Sequence, residues 1–266
     1  MSTQPDYVEL NRRAWNMRTT YHAQSSFYHV KEFTKGESSL NAIELALLGD
    51  IKGKSILHLQ CHFGQDSLSL ARMGAEVTGI DLSDKAIGEA KSLNNQLGLN
   101  ATFICCNIYN LTQHLHKQFD IVFTSYGTIN WLPDLEQWGN IIHTFLKRGG
   151  RFVFAEFHPV IWMYDNDFEK IDYKYFKADP ICETETGTYA DKNAPIKYEN
   201  VTWNHSLGEV FQALLSNNLV IKHFQEYEYS PYACFNGTKE IAPGKYVIEK
   251  LGDKIPMVYS IIAEKQ

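Results

Sequence analysis

The first candidate functional residue in this chain is an acid at the end of a predicted strand. Residues 55–83 read SILHLQCHFGQDSLSLARMGAEVTGIDLS, with an apolar run at Ile56, Leu57 and Leu59 that is typical of a buried parallel strand. Residues 76–80 predict a second strand, and Asp81 stands at its carboxyl end. Parallel strands open onto a common crevice at that end, where a carboxylate can accept hydrogen bonds from both hydroxyls of a ribose. The segment therefore predicts a nucleoside-cofactor site.

Between the two strands the sequence predicts a tight turn followed by a helix. Gly64 lies in the turn, Asp66-Ser67 offers an N-cap, and Gly74 closes the helix. The N–H groups at the start of such a helix face the crevice that Asp81 faces, and they favour an anionic or polar ligand there.

The glycine content of the turn bears on which cofactor binds. A dinucleotide fingerprint needs three glycines in the pattern G-x-G-x-x-G, whereas residues 60–66 read QCHFGQD and hold one. Side chains at Gln60 and His62 crowd a pyrophosphate. A nicotinamide-dependent oxidoreductase is therefore disfavoured and stays as an alternative.

The turn resembles the first motif of the class I S-adenosylmethionine (SAM) methyltransferases, hydrophobic-Leu-Asp-Leu-Gly-Cys-Gly-x-Gly. The positions that match this motif are Leu57, Leu59, Cys61 and Gly64. The positions that depart from it are His58, Gln60 and His62, which replace the acid and two of the glycines. The resemblance covers residues 52–157 well and 205–264 more loosely. Because of the departures, a SAM- or SAH-binding protein without transfer activity remains a second alternative.

The resemblance implies SAM as cofactor, S-adenosylhomocysteine (SAH) as product, and methyl transfer to a small-molecule acceptor. It assigns the ribose to Asp81, the adenine amine to Asn107, and the two faces of the adenine to Leu82 and Ile108. The implied cofactor-binding residues are Gln60, Cys61, Gly64, Asp81, Leu82, Asn107, Ile108 and Thr124. His58 and His62 could carry charge beside the cofactor's ammonium, which predicts weaker binding as the pH falls through about 6.5.

Methyl transfer from a sulfonium is an in-line displacement, so it needs little acid–base machinery. A base matters only where the acceptor must lose a proton, and the candidates are His158, after the fifth strand, and His22, in the N-terminal segment. Tyr126 follows the fourth strand, where its ring could face the sulfonium or simply floor the pocket. The candidate catalytic residues are therefore His158, His22 and Tyr126.

The order of strands and helices predicts an α/β fold. Strand and helix patterns alternate from residue 55 to residue 157, and the last helix of this stretch is predicted from Pro133. A further helix is predicted from His205, and two strands follow it. The resemblance implies a Rossmann-like, seven-stranded, mostly parallel sheet with helices on both faces and an antiparallel last strand. We expect an N-terminal helical cap at 1–50 and a methyltransferase domain at 51–266, with an inserted lid at about 159–204.

Composition excludes several classes of protein. Mean hydropathy is −0.31, the net charge is −6 and the pI is near 5.9. No apolar run approaches a membrane span, the first twenty residues lack the apolar core of a signal peptide, and no basic surface for nucleic acid is implied. The five cysteines show no C-x-x-C spacing, so we expect no metal site and a cytoplasmic location. The aromatic-rich lid favours a planar or apolar acceptor, and the acceptor atom and oligomeric state stay open.

Overall fold

The computed structural model describes residues 6–266 of the chain. Its helices are α1 (Tyr7–His22), α2 (Val30–Thr34), α3 (Ala42–Leu48), α4 (Gln65–Arg72), α5 (Asp84–Gln96), α6 (Leu135–Phe145) and α7 (Leu207–Ser216). The first five strands are β1 (Ser55–His58), β2 (Glu76–Asp81), β3 (Thr102–Cys105), β4 (Phe119–Ser125) and β5 (Leu146–Phe157). The others are β6 (Ile181–Thr186), β7 (Lys197–Thr202), β8 (Leu219–Tyr227), β9 (Thr238–Ala242), β10 (Lys245–Ile248) and β11 (Val258–Lys265).

A seven-stranded sheet in the order β3-β2-β1-β4-β5-β11-β8 forms the centre of the fold. Neighbours from β3 to β5 pair in parallel, whereas β11 runs antiparallel to both β5 and β8. The predicted α/β fold with an antiparallel last strand is confirmed. Because β1 to β4 are parallel, the segments that follow them meet at one edge of the sheet.

Apolar side chains cover both faces of the sheet. On one face, helices α3, α4 and α5 bury Leu48, Leu68 and Ile87 against the strands. On the other face, α6 and α7 bury Trp138 and Leu214. The strands are buried from both sides, which explains why they read as continuous apolar runs. Within residues 6–266, no helix is both long enough and apolar enough to cross a membrane.

Three helices begin at residues other than those predicted. Helix α4 begins at Gln65 behind Gly64, whose φ of 80° is left-handed, so the predicted cap at Asp66-Ser67 is wrong and lies inside the first turn. Asp134 caps α6, which begins two residues after Pro133. Ser206 caps α7 in place of His205. In α6 and α7 the side chain that accepts from the first turn sets the start.

The N-terminal helices and the 159–204 segment are bound to each other. The predicted lid contains the antiparallel hairpin β6–β7, and α1 packs along β7. The amide of Asn11 donates to Val201 O and accepts from Val201 N, both at 2.8 Å, as a strand residue would. Arg18 in α1 donates to Tyr198 Oη at 2.7 Å and pairs with Glu185 at 3.1 Å. The hairpin β9–β10 was not predicted.

Candidate active site

The site is organised around Asp81 at the end of β2. Its Oδ2 accepts from the backbone N–H of His62, and its Oδ1 accepts from that of Ser83, each at 2.8 Å. The carboxylate thus ties the turn after β1 to the start of α5. Burial raises the pKa of Asp81 to about 6, and the N–H groups of Ser83, His62 and Leu82 oppose that rise. The four lone pairs of the carboxylate exceed these backbone donors, so it keeps acceptor capacity for a ligand hydroxyl.

The turn holds side chains in a backbone conformation that normally favours glycine. Gln60 has φ of 53° and His62 has φ of 51°, both left-handed. These are two positions where the methyltransferase motif has glycine. The left-handed conformation costs a non-glycine residue about 1–2 kcal/mol. Non-glycine side chains at these two positions therefore point to a function.

Gln60 carries an unsatisfied polar atom. Its Nε2 donates to the carbonyl of Thr128 at 2.8 Å, which fixes the orientation of the amide. Its Oε1 is buried and has no hydrogen-bond partner among the described residues. An unpaired buried carbonyl costs about 1–3 kcal/mol, and a ligand N–H would remove that cost.

The cap closes over this turn through aromatic rings. The ring of Trp15 in α1 lies 5.2 Å from that of His62 and 5.2 Å from that of Trp131, edge-on to both. His22 is fully buried, and its Nδ1 lies 3.3 Å from His62 Nε2. Trp15 and His22 of α1 therefore cover the turn after β1.

Burial keeps the histidines of the site neutral. Desolvation lowers the pKa of His58 and of His62 to about 3, and it holds the pKa of His22 far below its usual range. His58 is 3% exposed, and its Nδ1 lies 2.8 Å from Ser67 Oγ under α4. In this closed arrangement, burial therefore opposes the charging of His58 and His62 that the sequence analysis expected near pH 6.5.

Three of the implied cofactor-binding residues serve packing. Cys61 is buried with its Sγ against Gly79, where an added Cβ would come within 2.9 Å of that sulfur. A Cβ on Gly64 would lie 2.8 Å from the ring of Phe103, so this glycine allows α4 to pack closely on the sheet. Thr124 is fully buried and donates to Leu59 O at 3.1 Å. These residues therefore support the turn from the side of the core.

The residues expected at the adenine lie at the same sheet edge. Asn107 caps the 3-10 turn that follows β3, with its Oδ1 accepting from Tyr109 N at 3.0 Å. Ile108 is 4% exposed, and Leu82 is half-buried. The structure brings these segments together across the ends of β2 and β3.

The segment after β4 is held by an acid that the sequence analysis missed. Glu156, at the end of β5, is fully buried and accepts from the backbone N–H groups of Gly127, Thr128 and Phe157 and from the hydroxyl of Thr128. The sequence signal was an acid inside the apolar run of residues 152–157. Glu156 positions the loop that carries Tyr126.

Glu44 in α3 and Asp66 in α4 are two further acids whose pKa values burial raises. The hydroxyl of Tyr126 donates to Glu44 Oε2 at 2.9 Å, and Glu44 is fully buried in α3. Asp66 in α4 is half-buried, and burial together with the nearby charge of Glu44 raises its pKa to about 7. The sequence signal for Glu44 was the capping box that it forms with Asn41. No pattern in the sequence indicated a functional role for Asp66.

His158 lies in a different environment from His22 and Tyr126. Its Nδ1 accepts from Val160 N at 3.2 Å, and its Nε2 lies 3.0 Å from Glu226 Oε1 in β8. Its ring packs 6.0 Å from that of Tyr259. Both nitrogens face protein groups, so this placement does not favour His158 as a base.

The fold and the site define the class of protein. Residues 50–212 match the family model described as a methyltransferase domain, and the chain belongs to this family. The resemblance drawn from the turn motif is confirmed, and the match gives no support to a nicotinamide oxidoreductase.

Individual relatives agree with the family. An uncharacterized methyltransferase of Synechocystis is 33% identical over 134 residues, which are 48% of this chain and 59% of that protein. A ubiquinone biosynthesis O-methyltransferase of Coxiella burnetii is 34% identical over 105 residues, which are 40% of this chain and 44% of that protein. The chain thus spans about half the length of the curated relatives that it matches.

Solved structures share the whole fold. Geranyl diphosphate C-methyltransferase of Streptomyces coelicolor, solved with SAH and geranyl diphosphate, has a TM-score of 0.61 at 16% identity and covers 100% of both chains. A SAM-dependent methyltransferase of Clostridium acetobutylicum has a TM-score of 0.59 at 17% identity, covering 96% of this chain and 98% of that one. At these identities the likeness is one of fold.

Proposed function

We propose that this chain transfers a methyl group from SAM to a small-molecule acceptor. The observation that carries the proposal is the carboxylate of Asp81, fixed by the N–H groups of His62 and Ser83 at the end of β2. The carboxylate keeps acceptor capacity beyond these bonds, which suits the hydroxyls of a ribose. Membership of the methyltransferase family supports the same conclusion.

The other residues of the crevice fit the remaining parts of SAM. The unpartnered Oε1 of Gln60 can accept from the ammonium of the methionine moiety. Leu82 and Ile108 would hold the adenine between them. Asn107 Oδ1 accepts one hydrogen bond, from Tyr109 N, so its second lone pair can accept from the adenine amine. Cys61, Gly64 and Thr124 would act only by shaping the turn.

When bound, SAM supplies an electrophilic methyl group on its sulfonium. The residues of this chain then need to hold the acceptor in line with that group and to exclude water. Trp15 and His22 cover the site from α1, and Tyr126 contributes its ring, since its hydroxyl is committed to Glu44. Of the two candidate histidine bases, His22 is the one within this cover, and its imidazole is neutral.

Calorimetric titration of the whole chain with SAM, SAH and NAD tests the proposal. We expect SAM and SAH to bind with about micromolar affinity or tighter and NAD not to bind. NAD binding as tightly as SAH, or failure of both SAM and SAH to bind, would contradict the proposal. SAM binding without conversion to SAH in the presence of any acceptor would favour the binding protein without transfer activity.

A further inference from the structure

The loop at residues 127–131, between β4 and α6, supports the proposed donor site. The carbonyl of Thr128 in this loop accepts from Gln60 Nε2 at 2.8 Å, and this bond orients the amide of Gln60. The other end of the amide, Oε1, is buried and has no hydrogen-bond partner within residues 6–266. The position of Thr128 therefore decides where Oε1 lies.

The same loop contacts the cap and the lid. The ring of Trp131 lies 5.2 Å from that of Trp15 in α1, and its Nε1 donates to the carbonyl of Gly127 at 2.9 Å. The carbonyl of Asn130 accepts from the backbone N–H of Trp203, in the segment after β7, at 2.8 Å. A displaced loop would therefore change the cover of the site as well as the amide that the loop orients.

One buried carboxylate holds this loop. Glu156, near the end of β5, is 0% exposed. Its Oε2 accepts from Thr128 N at 2.8 Å, from Thr128 Oγ1 at 2.9 Å and from Ile129 N at 3.3 Å. Its Oε1 accepts from Phe157 N at 2.7 Å and from Gly127 N. An ionised carboxylate suits these donors, because it offers only lone pairs, whereas an amide or a protonated acid would turn a donor toward them.

The loop leaves β4 in a backbone conformation that needs support from its surroundings. Tyr126 has φ of 44° and Gly127 has φ of 70°, both left-handed. This conformation is unfavourable for tyrosine, and it persists only where the surrounding structure holds it. The bonds that Glu156 accepts from Gly127 and Thr128 begin directly after Tyr126, so they act where this support is needed.

We propose that Glu156 is a positioning residue of the donor site, whose charge holds the loop and thereby fixes the carbonyl of Gln60 that receives the ammonium of SAM. This inference rests on the proposed function. Glu156 is bonded to the loop and to Phe157, and Thr128 carries its effect to Gln60. Loss of the charge lets the loop move, and Oε1 then loses its alignment with the ammonium.

Two ligands separate this role from a general loss of structure. SAH carries the ammonium, whereas 5′-methylthioadenosine keeps the adenine, ribose and sulfur and lacks the amino-acid part. Effects through the cap and lid act on both ligands, so the ratio of the two affinities isolates the effect through Gln60. We expect Glu156→Gln to weaken SAH about tenfold more than 5′-methylthioadenosine, measured by calorimetry. Equal losses for the two ligands would overturn the inference.

A double-mutant cycle tests whether Gln60 is the route. In a Gln60→Gly background the carbonyl that Glu156 positions is absent. We therefore expect Glu156→Gln to weaken SAH there by no more than it weakens 5′-methylthioadenosine. A full tenfold difference in that background would show that Glu156 acts on the donor by another path, and the inference would be wrong.

Asp120→Asn is the matched control, because the Asp120 carboxylate also accepts from a backbone N–H and a hydroxyl, both of Ser55, at the amino ends of β1 and β4. It should leave the ratio of the two affinities unchanged. Circular dichroism checks that each variant is folded.

Thr128→Val takes the place of Glu156→Gln if that variant does not fold, since it keeps the shape of the side chain and removes one donor to Glu156. It should weaken SAH about threefold more than 5′-methylthioadenosine, and equal effects on the two ligands would contradict the inference. SAH binding by the wild-type protein separates these results from failure of the proposed function.

Discussion

The backbone N–H of His62 donates a 2.8 Å hydrogen bond to Oδ2 of Asp81, nineteen residues further along the chain. The bond joins the turn after β1 to the end of β2, and it orients the carboxylate toward the crevice. Because the donor is a backbone N–H, the bond does not depend on the side chain, and it forms with histidine in place of the glycine of the family motif. The departure from the motif therefore changes which side chains line the crevice and leaves the position of the acid intact.

Removal of the Asp81 carboxylate should weaken SAH binding. We expect Asp81→Ala to raise the dissociation constant about tenfold or more, because charge-assisted hydrogen bonds to the ribose contribute about 1.5–3 kcal/mol. Calorimetry measures the effect, and circular dichroism checks that the variant is folded. Asp253→Ala, at an exposed acid, should bind SAH as the wild type does. Equal affinity in a folded Asp81→Ala variant would remove the central assignment.

SAH affinity should fall as the pH is lowered from about 8 to about 5, and Asp81 should be the cause. Burial raises the pKa of Asp81 to about 6, so protonation in this range removes the charged acceptor. The histidines stay neutral throughout, since burial lowers the pKa of His58 and of His62 to about 3.

The two causes can be separated by variants measured over the same pH range. Asp81→Asn should flatten the pH dependence of SAH affinity, whereas His58→Asn combined with His62→Gly should leave it in place. The opposite pattern would show that an imidazole titrates in contact with the cofactor.

Gln60→Gly should separate stability from binding. The substitution relieves a φ of 53° and removes the unpartnered Oε1, at the loss of one hydrogen bond to Thr128. The two gains are about 1–2 and 1–3 kcal/mol, against a loss of about 0.5–1.5. We expect an unchanged or higher free energy of unfolding in denaturant, together with weaker SAH binding.

Asn218→Gly is the control for Gln60→Gly, since Asn218 has φ of 56° in an exposed position after α7. It should not lower stability and should leave SAH affinity unchanged. Tighter SAH binding by Gln60→Gly would mean that the side chain obstructs the site.

Asn11→Ala should speed the release of SAH. The side chain of Asn11 makes two 2.8 Å hydrogen bonds to the backbone of Val201, and these join the cap to the lid hairpin. Their loss should let α1 open more often while the central sheet keeps its stability. Stopped-flow dissociation measures the rate, and Asn110→Ala, at an exposed residue outside the cap, is the control. An unchanged rate would argue that cap and lid do not gate the site.

Local patterns in the sequence were sufficient for the frame of the fold and for one part of the site. The apolar run of β1, the glycine of the turn and the acid at the end of β2 lie within residues 55–83, and their order along the chain dictates a strand, a helix and a parallel strand. The position of Asp81 at the crevice follows from that order, because parallel strands end at one edge. The antiparallel β11 followed from the resemblance to the family.

Tertiary structure decided which side chains face the crevice and which are charged. Cys61 lies against Gly79, Gly64 lies against Phe103 and Thr124 donates to Leu59 O. Spacing along the chain does not reveal these contacts. Glu44 meets Tyr126 across 82 residues, and Asn11 meets Val201 across 190. Burial, a property of the assembled fold, lowers the pKa of His58 and of His62 to about 3 and raises the pKa of Asp66 to about 7. Contacts and desolvation of this kind arise only when distant segments pack together.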